Sequence, residues 1–158
     1  MAMTMDERWV LRGPDEMARQ SIAQNSEDRF PMVVDDLLRL PGTGAILAEG
    51  AGLFPAQVEP LLSDARAAIW LIASPELIRQ VRSVRGEGRG VADLTSDPPR
   101  AFENLVARDV LMAQYIRREA EQRGLTIVDV DPQTVAGVAD KVERHFAPLL
   151  ESCVTATE

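Results

Sequence analysis

The stretch AILAEGAGLFP, residues 45–55, decides how this chain is read. An apolar run from Ala45 to Ala48 ends at Glu49, and Gly50, Gly52 and Phe54-Pro55 follow at once. A short continuous apolar run closed by turn residues is the pattern of a parallel strand covered on both faces. Residues 67–72 (AAIWLI) and 125–130 (LTIVDV) carry the same pattern.

Between these runs the spacing predicts helices. Pro14 with Asp15 and Glu16 marks a start, as does Pro31 ahead of Val33, Val34, Leu37 and Leu38. Pro55 opens a helix with Val58, Leu61 and Leu62 on one face. Ser74-Pro75-Glu76 supplies an N-cap, a first-position proline and an acidic first turn for a helix that stops at Gly86. A long helix is expected from Pro99 to Arg123 with Gly124 as its cap, and a last one from Asp131-Pro132. Strands alternating with helices predict βαβ units, hence an α/β fold: a three-layer parallel sheet with helices on both faces. The glycine-rich segment 86–98 reads as a lid within one domain covering residues 1–151, and residues 152–158 read as a tail.

Bulk properties bound the function. The 158 residues suit one domain, and 46% apolar with 27% charged content is ordinary for a globular protein. A net charge of −8 argues against a nucleic-acid binder. One cysteine precludes a disulfide framework, and there is no apolar run of membrane-spanning length and no signal-peptide core. A cytoplasmic protein without a membrane partner is therefore expected.

Three sets of residues carry candidate chemistry. Glu49, at the carboxyl end of its expected strand, is placed to hold Mg²⁺ or to act as a base, with Gly50 letting the backbone approach a ligand. The alternative is a solvated acid at a strand end. Arg79, Arg82, Arg85 and Arg89 recur at helical spacing, a local charge of +3 between Leu77 and Val91. They suit a clamp on a phosphoryl group or, alternatively, an ordinary solvated face. Arg8 and Arg12, around Trp9, suit an anionic or planar substrate; otherwise Trp9 anchors a terminal segment. His145 lacks a metal-binding partner in sequence and reads as structural or exposed.

In order, MDERW, AILAEGAGLFP, the WL strand, PELIRQVRSVRGEGRG and the final VD strand resemble the uridine kinase and phosphoribulokinase-like group of P-loop kinases. The resemblance runs from Met5 to Pro148. It implies a cytoplasmic transferase that binds ATP and Mg²⁺ and phosphorylates a small hydroxyl-bearing molecule. Glu49 would be its catalytic and metal-side acid. Arg79, Arg82, Arg85, Arg89 and Gly50 would lie on the nucleotide, and Arg8 and Arg12 on the acceptor. Asp129 and Asp131 would lie near the base or cap the last helix. The chain departs from the group in having no G-x-x-x-x-G-K-[ST], since its one lysine, Lys141, lies within an expected helix. The expectation is thus an N-terminally incomplete, truncated kinase domain whose first central strand is missing. The alternative is a non-catalytic remnant or a module binding an anion or a partner. A homo-oligomer, or a partner donating the missing strand, is the corresponding expectation for assembly.

Overall fold

The computed structural model describes residues 3–42, 45–86 and 90–155. Two strands are present among them: β1 (Trp70–Ala73) and β2 (Ile127–Val130), paired in parallel with Trp70 opposite Ile127 and Ala73 opposite Val130. The expected three-layer parallel sheet is therefore not the fold. Helices dominate: α1 (Met5–Trp9), α2 (Pro14–Gln24), α3 (Phe30–Leu38), α4 (Pro55–Val58), α5 (Pro75–Gly86), α6 (Pro98–Gln122) and α7 (Val138–Thr155).

The correction lies at residues 45–50. They form no strand, and every one of them is exposed. The apolar run alone could not reveal this, because a strand needs a neighbour for its backbone groups as well as an apolar composition. The bound end of the segment follows directly. Phe54 is 1% exposed and meets the Tyr115 ring edge-on at 5.7 Å. The Leu53 carbonyl accepts the indole N–H of Trp70 at 2.9 Å.

The other half of this anchor comes from a helix defect. Residues 14–38 are helical throughout, but Asn25–Arg29 form a π turn between α2 and α3. Pro31 follows it. A proline lacks an N–H and crowds the preceding turn, and widening to a π turn is one way a helix accommodates it. Sequence reading placed a fresh helix start at Pro31; the structure continues the helix through it. At the head of the π turn, Asn25 is 7% exposed, and its amide N–H donates to the Gly52 carbonyl at 2.6 Å. A second contact, 3.3 Å long, reaches Gln57 Oε1. Gly52 serves this approach: a Cβ there would lie 2.3 Å from Asn25 Oδ1.

Helix α6 is the spine. It covers one face of the two strands, where Trp70, Ile72, Ala120 and Leu125 form a buried cluster. Helices α1, α2 and α5 pack along it. The Asn104 amide of α6 sits 3.0 Å from the Trp9 carbonyl and so closes the end of α1. Asp6 accepts the Ser96 N–H at 2.7 Å, tying α1 to the loop before α6, and these bonds hold its carboxyl below the usual carboxylate range. Part of the expected lid, Val91–Leu94, is a 3₁₀ turn in which Asp93 accepts the Gly90 N–H; residues 87–89 lie outside the described ones. Gly124 ends α6 with φ +64°, as its sequence position predicts. The last helix starts later than expected, because Asp131 holds a turn of its own by accepting the N–H groups of Gln133 and Thr134.

Gly52→Ala is expected to destabilise the protein by about 1–3 kcal/mol, the usual range for overpacking. Urea unfolding checks this; a change below about 0.5 kcal/mol would show that the Asn25 contact is not a close-packed one.

Candidate functional site

Glu49 lies in the exposed segment and has no hydrogen-bond or ion-pair partner among the described residues. Nothing in the structure fixes its carboxylate against a magnesium ion. Nor do the described residues include a group of three or more His, Cys, Asp or Glu side chains arranged to hold a metal. Gly50 is also exposed, and a Cβ placed there would meet nothing. No ion pair or hydrogen bond joins Glu49 to the arginine row among the described residues.

The arginines of α5 face α6. Arg79 forms two hydrogen bonds to Glu103, at 2.8 and 2.6 Å, and lies over the Phe102 ring. Its guanidinium holds the Glu103 carboxyl below the ordinary value. Arg82 Nε donates to Asp109 at 2.6 Å. The other oxygen of Asp109 takes the Arg108 guanidinium, which in turn lies over the Trp9 ring at 5.4 Å. This shared carboxylate is largely buried, with 18% of its side chain exposed. Helix spacing thus placed Arg79 and Arg82 on one face, and that face binds α5 to α6. Arg85 is exposed without a partner among the described residues, and Arg89 lies outside them.

Around α1, Arg12 pairs with Glu16 and hydrogen-bonds Gln20, so it braces α2; Arg8 is exposed. Trp9 anchors the N-terminal segment through Arg108 and Asn104. His145 is structural: its Nε2–H donates to the Ala68 carbonyl, 3.1 Å away.

At the carboxyl ends of β1 and β2 lies an open cleft of about 250 Å³, lined by Ser74, Ile78, Gln114, Arg117, Asp129 and Asp131 among others. Ser74 accepts the Leu77 N–H as the cap of α5, and Arg117 pairs with Asp129. The polar groups of this cleft are therefore largely engaged with each other.

The feature with unmet demand is elsewhere. Six of the nine residues of α3 are apolar (Phe30, Met32, Val33, Val34, Leu37 and Leu38), yet none is buried. Leu38 is 79% exposed, and Leu47, in the segment beyond, is 80% exposed. Apolar side chains on a helix normally face a packed neighbour, yet Met32, Val33 and Leu38 are exposed. Helix α3 and the exposed residues 45–50 are together termed the arm. Sequence reading made the first a helix and the second a strand within a parallel sheet. It missed Asn25, Asn104, Asp109 and Arg117, for which the only signal was a polar or charged group among apolar helical positions.

No family model, curated protein or solved structure matches this chain. No helix among the described residues is long and apolar enough to cross a membrane.

Asp109→Ala, which leaves two guanidiniums without their acceptor, is expected to cost about 1–3 kcal/mol. Glu103→Ala, at an exposed pair, is expected to cost about 0–1 kcal/mol. Equal effects in chemical denaturation would contradict the structural role given to Arg82.

Proposed function

We propose that this chain is a protein-docking module whose working elements are α3 and the exposed residues 45–50. The observation that carries this reading is the set of exposed large apolar side chains Met32, Val33 and Leu38 on α3 and Ile46 and Leu47 in the exposed segment 45–50. Exposed apolar surface on this scale marks a candidate interaction site. Met32, Leu38, Ile46 and Leu47 are 50–80% exposed, so burying that surface in an interface would contribute roughly 4–8 kcal/mol at the usual value per side chain. Association itself costs ~4–15 kcal/mol. The side chains alone therefore support a weak complex, and a tight one needs further contacts.

The partner that the reading favours is a second copy of the chain, in the cytoplasm. Two chains with the same apolar arm satisfy both arms in one two-fold contact. Phosphoryl transfer from Mg·ATP to a small molecule is a separate proposal that rests on the kinase resemblance. The exposed Glu49 and the engaged Arg79 and Arg82 lend it no support.

Sedimentation analysis across protein concentrations tests the docking reading. The wild type is expected to shift from 17.4 kDa towards twice that mass. Leu38→Asp and Leu47→Asp, both at solvent-facing positions, are expected to keep the helical circular dichroism and remain at the lower mass. A wild type that stays at the lower mass, together with a thermal midpoint raised by several degrees by millimolar Mg·ATP, would replace this reading with the nucleotide-binding one.

A further inference from the structure

The two strands leave outer edges, and the two edges are not equivalent. Trp70 and Ser74 turn their N–H groups inward, to the carbonyls of Thr126 and Val130. By the alternation of a strand, Leu71 and Ala73 turn theirs outward. Among the described residues, no backbone hydrogen bond outside the β1–β2 ladder uses either residue. The outward-facing residues of β2 are Ile127 and Asp129 by the same alternation. Asp129 carries an ion pair with Arg117, and charge near a sheet edge discourages further pairing. β1 has no such protection. All four of its residues are apolar, and Leu71 is 47% exposed. A short, apolar, uncharged edge is a template for an added strand.

The same chain carries a matching donor. Residues 45–49 have the composition of a buried parallel strand, yet no backbone hydrogen bond joins any of them to another described residue. The donor is tethered to the core four residues on, where the Leu53 carbonyl accepts the Trp70 indole N–H. Each chain therefore presents one donor and one acceptor. That arrangement closes in a two-fold pair, with each arm on the other chain's edge and neither left over.

We infer that residues 45–49 of one copy add as a third strand to the outer edge of β1 in a second copy, through the backbone groups of Leu71 and Ala73. This inference rests on the docking reading and specifies its contact. It also assigns the glycines: Gly50 lies where the arm must change direction between its anchor and its partner, in open space.

The test combines a backbone probe with a proximity probe. Leu47→Pro and Ala48→Pro, made separately, remove the N–H groups of both alternation sets at exposed positions, so in either register one of them breaks the added ladder. One of the two is expected to weaken association at least tenfold, and both to leave the circular dichroism unchanged. In a Cys153→Ser background, a Leu47→Cys chain mixed with a Leu71→Cys chain is expected to give a covalent hetero-dimer with a short bismaleimide. If Leu38→Asp abolishes association while both proline variants leave it intact and no cross-link forms, strand addition is wrong and the docking reading stands. If the wild type is monomeric at every concentration, both fall. If a chain carrying both cysteines cross-links only within itself, the arm closes on its own edge, and exchange between copies is overturned.

Discussion

The fold turns on a clasp at residues 52–55. Asn25 reaches in from the π turn to the Gly52 carbonyl, and Trp70 reaches in from β1 to the Leu53 carbonyl. Phe54 then fills the space beside Tyr115. Two adjacent carbonyls are thus taken by side chains of distant elements, one from the helical N-terminal half and one from the strand pair. A buried carbonyl without a donor is costly, so each bond both satisfies the loop and fixes a neighbour. The absence of a side chain at Gly52 is what lets Asn25 approach.

That clasp divides the stretch 45–55 into two parts with different fates. Beyond Gly52 the chain is locked into the core; before it, the chain is an exposed arm. The π turn has the same dividing effect at the other end. It brings Asn25 inward, while α3 beyond it buries none of its apolar residues fully. Exposed apolar segments next to fixed anchors at Asn25 and Gly52 are suited to docking, because less order has to be imposed when a partner arrives.

Local signals were read correctly where the physics is local. The caps at Ser74 and Gly124, the proline starts at Pro14 and Pro75 and the long helix between Pro98 and Gln122 all follow from a few neighbouring residues. The strand assigned to 45–49 failed because pairing is a long-range property, and nothing in those residues says whether a neighbour exists. Arg79 and Arg82 were placed on one helix face, but the acids that take them, Glu103 and Asp109, lie more than twenty residues on. Their charge alone could not distinguish a ligand clamp from a brace between helices. Asn25 carried no legible signal, since an asparagine inside a helix looks merely unfavourable until Gly52 is seen beside it.

Amide hydrogen exchange of residues 45–49, with Leu71 and Ala73, measured at low and high protein concentration, tests the account most directly. The account predicts that these amides exchange freely in dilute protein, and that alternate amides of residues 45–49 become protected together with those of Leu71 and Ala73 as concentration rises, while the amides of α6 stay unchanged. Free exchange of residues 45–49 at every concentration would contradict it.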